Sequence, residues 1–96
     1  MNEKALKSAL VTGAGRRIGR AVALDLAAAG WTVAVHYNRS EAEATAVIDE
    51  ISGKGGKAAA VQADLANEKE TAGLIEQAAA EIGPLAALVN NASVFQ

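Results

Sequence analysis

Three glycines near the start of the chain have the spacing of a phosphate-binding turn. A short apolar run ends at Thr12, Gly13 and Gly15 follow, and a helical pattern begins around Gly19. Glycine lets the backbone turn sharply and approach a pyrophosphate closely, while the first N–H groups of the helix and its dipole favour the anion. Such segments also occur as ordinary turns, so the prediction of a dinucleotide site depends on the segments that follow.

The segment after the second apolar run predicts which nucleotide is bound. It reads His36-Tyr37-Asn38-Arg39-Ser40, with no carboxylate before residue 41. In NAD sites an Asp or Glu near this position bonds the ribose 2′-hydroxyl, and that carboxylate would repel a 2′-phosphate. The planar guanidinium of Arg39 suits a phosphate, and Ser40 adds a hydroxyl at the start of a helix. These residues predict NADP(H) rather than NAD(H), unless Arg39 is a solvated loop residue and Ser40 only a helix cap.

Polar residues also follow the third and fourth apolar runs. Asp64 either accepts a hydrogen bond from the adenine amino group, with Leu65 lining the base, or is an ordinary turn residue. Adjacent asparagines at an apolar strand end need hydrogen-bond partners, because buried amides are seldom left unsatisfied. We expect Asn90 to brace neighbouring strand ends, and Asn91 and Ala92 to lie near the cofactor ribose. A plain turn is the alternative.

Alternating strand and helix patterns bring these segments to one edge of a sheet. Strands are predicted over residues 6–11, 32–36, 58–62 and 86–89, and helices over 16–29, from Ser40 to about 51, and over 68–82. Ser40 with Glu43 forms a capping box for the second helix, and Asn67 caps the third. Right-handed crossovers give an α/β fold, a Rossmann-type doubly wound parallel sheet with strand order 3-2-1-4. Ligands of such sheets bind at the carboxyl ends of the strands.

Composition excludes several other classes of protein. The chain has 96 residues, 51% of them hydrophobic, a net charge of −2 and no cysteine. It therefore has no disulfide or thiolate metal site, and its charge predicts no nucleic-acid partner. The apolar runs are shorter than the ~20 residues of a membrane span, and the N-terminus has no signal-like segment, so a cytoplasmic protein is expected. Arg16, Arg17 and Arg20 form a local basic patch suited to one phosphorylated ligand.

His36 is the only histidine of the chain. It has no cluster of Cys, His or carboxylate residues around it in the sequence, so we predict no metal site. We expect His36 to border the adenosine phosphate instead.

The motifs, in this order, resemble those of the short-chain dehydrogenase/reductase family along the whole chain. The segment from Thr12 to Gly19 is similar to the family motif Thr-Gly-x-x-x-Gly-x-Gly. Asp64 looks like the family's adenine-binding Asp, and Asn90-Asn91-Ala resembles its Asn-Asn-Ala-Gly motif. The resemblance implies a nicotinamide-dependent oxidoreductase.

Two departures from the family motifs resemble the pteridine reductase branch. Arg17 replaces the middle glycine of the first motif, and Ser93 replaces the last glycine of the fourth-strand motif. The resemblance implies that Arg17 reaches the cofactor phosphates and the pterin, that Ser93 contacts ligand, and that Phe95 stacks on the pterin ring. A hydrophobic loop anchor is the alternative for Phe95. Ordinary carbonyl reductases of the family are the alternative for the branch.

The same resemblance implies a catalytic Tyr-x-x-x-Lys pair, which residues 1–96 lack, because Tyr37 is the only tyrosine and Glu41 follows it. We therefore expect residues 1–96 to be the N-terminal, cofactor-binding portion of the dinucleotide-binding domain, with no catalytic residue and the catalytic half absent. The expected function of the full-length protein is NADPH-dependent hydride transfer to a small pterin or carbonyl substrate by a homo-oligomer. A non-catalytic nucleotide-binding module or an inactive truncated fragment is the alternative.

The predicted cofactor-binding residues are Gly13, Gly15, Arg16, Arg17, Ile18, Gly19, His36, Tyr37, Asn38, Arg39, Ser40, Asp64, Leu65, Asn91, Ala92 and Ser93. The predicted substrate-binding residues are Arg17, Ser93 and Phe95.

Overall fold

Four parallel strands form one sheet in a computed structural model that describes residues 7–13 and 17–91. The strands are β1 (Ser8–Val11), β2 (Thr32–Tyr37), β3 (Lys57–Gln62) and β4 (Ala87–Val89). The helices are α1 (Arg17–Ala28), α2 (Glu41–Gly53) and α3 (Glu68–Ile82). The sheet order is β3-β2-β1-β4, which confirms the predicted fold class and strand order.

The two central strands are buried on both faces. Every residue of β1 is buried, and so is β2 from Val33 to His36. Alternate side chains of a strand point to opposite faces, so continuous apolar runs suit strands that helices cover on both sides. Val11 and Val35 belong to the core on one face, and Leu10 and Ala34 to the core on the other.

The helices divide between the two faces of the sheet. Ala23 of α1 and Val47 of α2 pack in the first core, and Leu74 and Ala78 of α3 in the second. The helical pattern also includes Ile75, but 51% of this residue is exposed. One residue further along a helix lies about 100° around its axis from Leu74, beyond the buried stripe. None of the described helices combines the length and apolar character that a membrane span requires.

The two predicted helix caps differ in the structure. The Asn67 carboxamide oxygen accepts from the N–H groups of Lys69 and Glu70 at 2.9 and 3.1 Å, as predicted for the start of α3. Ser40 precedes α2 but makes no side-chain capping bond. Its backbone angles, φ −94° and ψ 72°, differ from the extended geometry that aims a capping side chain at the helix N–H groups. Ser40 therefore occupies the predicted N-cap position of α2, but the prediction of a capping bond from its side chain is wrong.

Candidate functional site

Gly13 lies at the centre of a hydrogen-bond network that joins the carboxyl ends of the strands. Its φ of +62° is a left-handed conformation that glycine adopts without strain. The Gly13 N–H donates to His36 Nδ1 at 3.0 Å, and the Gly13 carbonyl accepts from Asn91 Nδ2 at 3.3 Å. Side chains from β2 and from the segment after β4 therefore hold both backbone polar groups of Gly13.

The His36 ring is buried between backbone groups of two neighbouring segments. Only 2% of the residue is exposed, and Nε2 lies 2.9 Å from the carbonyl oxygen of Ala63, just after β3. A backbone N–H can only donate, so Nδ1, which faces Gly13, is unprotonated and the proton is on Nε2. Burial lowers the pKa of His36 below its ordinary value of 6.5. The hydrogen bond to Ala63 acts in the opposite direction but has the smaller effect. The neutral ring thus links β1, β2 and β3, with both nitrogens bonded to protein.

Thr12 connects the end of β1 to the segment after β4. Its N–H donates to the Val89 carbonyl at 3.0 Å, and its hydroxyl accepts from the Asn91 N–H at 2.8 Å. The same hydroxyl donates towards Asn90 Oδ1 at 3.2 Å. The adjacent asparagines therefore brace neighbouring strand ends, as the sequence predicted for Asn90.

The start of α1 approaches the glycine turn very closely. A Cβ atom at Gly19 would lie 2.3 Å from the Gly13 carbonyl oxygen and 2.6 Å from Asn91 Nδ2, so only glycine fits there. Arg17 has a φ of +38°, which is unfavourable for a residue with a side chain. Arg17 and Ile18 are both exposed, and Ile18 is 70% exposed although it is a large hydrophobic residue. The first turn of α1 therefore exposes a cationic side chain and an apolar side chain next to each other.

The loop after β2 presents a second exposed cation. Arg39 is exposed, and its side chain makes no hydrogen bond or ion pair with the rest of the described chain. Gln62 on β3 donates from Nε2 to the Asn38 carbonyl at 2.9 Å and so fixes the loop. Arg20, which the sequence grouped with the basic patch, instead forms an ion pair with Glu50 that joins α1 to α2.

Asp64 has the turn contact that its alternative interpretation predicts. Its Oδ1 accepts from the Ala66 N–H at 3.0 Å, and its own N–H donates to Glu70 Oε1 at 2.8 Å. Leu65 beside it is partly buried against the core under α3. Over residues 7–13 and 17–91, no three His, Cys, Asp or Glu residues are grouped so that they could hold a metal ion.

A family model described as short chain dehydrogenase matches residues 7–96. The chain belongs to the short-chain dehydrogenase family. The matched residues include the glycine turn, the Asn-Asn segment and all four strands of the sheet.

Similar proteins include both curated sequences and solved structures. The chain is 47% identical over 91 residues to 3-oxoacyl-[acyl-carrier-protein] reductase FabG of Staphylococcus aureus, covering 95% of this chain and 37% of that protein. It resembles the crystal structure of FolM alternative dihydrofolate reductase 1 from Brucella suis in complex with NADP, with 52% identity, a TM-score of 0.84 and coverage of 93% of this chain and 35% of that one. A short chain dehydrogenase from Burkholderia cenocepacia in complex with NADP is 43% identical, with a TM-score of 0.87. The match covers 94% of this chain and 37% of that one. The chain therefore spans little more than a third of the length of these relatives.

The short-chain dehydrogenase site contains three hydrogen bonds, made by two side chains, that sequence reasoning missed. The bonds of His36 to Gly13 and Ala63, and of Gln62 to Asn38, all end on backbone atoms. Backbone partners leave no mark in the sequence, and a histidine inside an otherwise apolar strand was the only signal available. Five predicted site residues lie outside the described part of the chain: Gly15, Arg16, Ala92, Ser93 and Phe95.

Proposed function

We propose that this short-chain dehydrogenase is an NADPH-dependent oxidoreductase whose cofactor lies along the carboxyl edge of the sheet. The observation that carries the proposal is the exposed Arg39 after β2, unpaired within the described chain, in a segment with no carboxylate from His36 to Ser40. An unpaired guanidinium there suits a ribose 2′-phosphate, where NAD-binding sites have an acid. The Brucella and Burkholderia structures named above contain NADP, which supports the same choice.

The described residues fit a dinucleotide in chemistry and in space. Gly13, in a left-handed conformation, and Gly19, packed against it, place no side chain of their own in the way of a diphosphate. We assign the 2′-phosphate to Arg39 and Ser40, and the adenine to Asp64, whose Oδ1 also accepts the turn hydrogen bond. The bound cofactor would supply the hydride.

Further assignments follow from exposure and from the resemblance. We assign Ile18, an exposed apolar residue at the turn, to packing against the cofactor. Asn91, Ala92 and Ser93 are assigned to the ribose side of the same edge. The remaining proposed contacts, from the turn and the loop after β2, are Gly15, Arg16, Tyr37, Asn38 and Leu65.

We propose a pterin or a carbonyl compound as the substrate. Support for both classes comes from the relatives, one described as an alternative dihydrofolate reductase and one as a 3-oxoacyl-[acyl-carrier-protein] reductase. Arg17, Ser93 and Phe95 would contact a pterin, and residues of the full-length protein outside this chain would supply the catalytic Tyr and Lys. We propose a cytoplasmic location, because residues 1–96 contain no cysteine. We also propose a homo-oligomer, by resemblance to the family.

The test of the cofactor assignment is Arg39→Asp in the native protein. We expect NADPH affinity to fall by roughly 10- to 100-fold, because a hydrogen-bonded charge pair is replaced by repulsion. NADH affinity should stay the same or rise, since NADH has no 2′-phosphate. The matched control, Arg39→Lys, keeps the charge but loses the planar fork and should have intermediate affinity. An Arg39→Asp protein that still prefers NADPH in fluorescence titrations would overturn the assignment.

Turnover separates the proposed function from its alternatives. NADPH oxidation by the native protein with a dihydropterin, or with a 3-oxoacyl substrate, supports the reductase and identifies the substrate class. NADPH binding without turnover of either compound supports a non-catalytic nucleotide-binding module. Failure of the native protein to bind NADPH supports an inactive fragment.

A further inference from the structure

His36 makes two hydrogen bonds that an apolar residue of β2 would not make. Its neighbours on the strand, Val35 among them, belong to the core, and at 2% exposure the ring has left water. A polar ring in such a place is unfavourable unless its nitrogens are bonded. Both are bonded, to Gly13 and to Ala63, so the ring is held at two points across three strand ends.

We propose that His36 is a positioning residue for the cofactor: its Nδ1 holds the Gly13 N–H, and thereby the backbone of Gly13 against the start of α1, in the orientation that receives the diphosphate. The inference rests on the proposed function, because it concerns the same site. Glycine is the residue with the greatest backbone freedom, so Gly13 cannot fix its own conformation. The side chains that fix it come from His36 on one side and Asn91 on the other.

Gly13 also packs closely against the first turn of α1. The Gly13 carbonyl oxygen would lie 2.3 Å from a Cβ atom at Gly19, so the first turn of α1 packs directly on this peptide. The free N–H groups of that turn are the ones that bind an anion at a helix start. A rotation about the backbone bonds of Gly13 would therefore disturb the anion-binding surface at the start of α1, and cofactor binding would have to restore its order.

The two bonds of His36 can be separated by substitution. Asparagine places its side-chain oxygen close to where Nδ1 lies, so His36→Asn keeps an acceptor for Gly13 but does not reach Ala63. Glutamine places its amide close to where Nε2 lies, so His36→Gln keeps a donor for the Ala63 carbonyl but leaves the Gly13 N–H without an acceptor. The two variants are similar in size and polarity, which makes each the control for the other.

The experiment compares both variants in the full-length native protein. Fluorescence titration gives NADPH affinity, thermal unfolding without cofactor gives stability, and NMR hydrogen exchange gives protection of the Gly13 amide. We expect His36→Gln to lose roughly tenfold or more in NADPH affinity, with a raised KM and little change in kcat, and to lose Gly13 protection. His36→Asn should keep NADPH affinity within about threefold and keep Gly13 protection, even where it lowers the unfolding temperature.

The outcomes distinguish this inference from the proposed function. Equal losses of affinity in both variants, or losses that follow only their unfolding temperatures, would overturn the positioning role and leave a structural one. A wild-type protein that binds no NADPH would overturn the proposed function. The Gly13 exchange measurement still decides the inference in that case, because retained protection in His36→Gln would refute the role of Nδ1.

Discussion

Arg17 combines an unfavourable backbone conformation with a cationic side chain that is exposed to solvent. Arg17 has a φ of +38° where the family motif has glycine, and it is exposed beside the turn. A side chain in the left-handed region costs about 1–2 kcal/mol, so this position retains a glycine-like backbone without a glycine. Such strain is typical of functional sites, where the side chain contributes more to function than it costs in stability.

We predict that Arg17→Gly raises stability and lowers ligand affinity. Release of the strain, less the greater freedom of glycine in the unfolded chain, should raise the free energy of unfolding by up to about 1 kcal/mol. NADPH affinity should fall if Arg17 contacts the cofactor phosphates, as the resemblance to the pteridine reductase branch implies. Arg17→Ala is the control, since it removes the charge but keeps a Cβ atom. It should lose affinity without gaining stability. Denaturant unfolding and NADPH titration measure both effects, and a less stable Arg17→Gly protein would contradict the strain argument.

Residue chemistry predicted candidate contacts for a ligand but missed residues that contact backbone. Arg39 and the Asn90-Asn91 pair stand out in the sequence because cations and amides at strand ends need partners. The sequence predicted that His36 borders a phosphate but gave no sign that its ring bonds Gly13 and the Ala63 carbonyl. No side chain in the sequence marks either partner, so only the register of the strands reveals the arrangement.

At the scale of elements, the residues that precede α2 and α3 differ in whether their side chains cap the helix. Asn67 bonds the N–H groups of two residues in the first turn of α3, whereas Ser40 makes no side-chain capping bond to α2. Both residues have the side chain that capping requires, but only Asn67 has the extended backbone that aims it at the helix. The Ser40 hydroxyl is thus not committed to α2, which agrees with its proposed contact to the 2′-phosphate.

The matched pair Asn67→Ala and Ser40→Ala tests this distinction. Asn67→Ala should lower the free energy of unfolding by about 1 kcal/mol, the usual effect of losing an N-terminal cap, and leave NADPH affinity unchanged. Ser40→Ala should leave stability unchanged and lower NADPH affinity by roughly 3- to 10-fold. Urea unfolding and NADPH titration of the native protein provide the data. Equal destabilisation by the two variants would show that Ser40 caps α2 after all.

The sequence predicted the elements well because their patterns come from burial. Continuous apolar runs identified β1 and β2, and Leu74 and Ala78 identified the packed face of α3. The exposure of Ile75 was not predictable, because hydrophobic spacing defines a stripe but not its width. Cap geometry also escaped prediction, because the side-chain type of Ser40 does not specify its backbone angles, φ −94° and ψ 72°.

At the scale of the whole molecule, parallel topology turns separate motifs into one site. The order β3-β2-β1-β4 places the ends of all four strands side by side, and a run of hydrogen bonds crosses them from Ala63 through His36 and Gly13 to Asn91. Sequence reasoning predicted this order because right-handed crossovers leave few alternatives. The sequence and the fold predict the substrate class less well than the strand order. Ser93 and Phe95 lie outside the described residues, and the relatives named above include both a dihydrofolate reductase and an oxoacyl reductase.

The pH dependence of stability should report on this network as a whole. Burial lowers the pKa of His36 in the folded protein below 6.5, its ordinary value and the one expected in the unfolded chain. The unfolded chain therefore binds more protons in the window between the two values, and stability rises with pH across it. The contribution of neutral His36 is complete above about pH 6.5 and is lost as pH falls through the folded-state pKa. Protonation of Nδ1 would also place two hydrogen-bond donors, the Nδ1–H and Gly13 N–H groups, opposite each other, so the hydrogen bond between them would be lost.

We predict that wild-type protein loses stability below about pH 6.5 relative to His36→Asn, with a slope of at most about 1.4 kcal/mol per pH unit for one proton. The difference between the two proteins isolates His36, because every other titrating group, including Tyr37 on β2 and Asp64 beside Ala63, is common to both. Urea unfolding from about pH 5 to 8, a range that spans the ordinary histidine pKa, measures the difference. Parallel curves for the two proteins would mean that His36 has the same proton affinity folded and unfolded, and that its ring does not depend on the neutral form to join the strand ends.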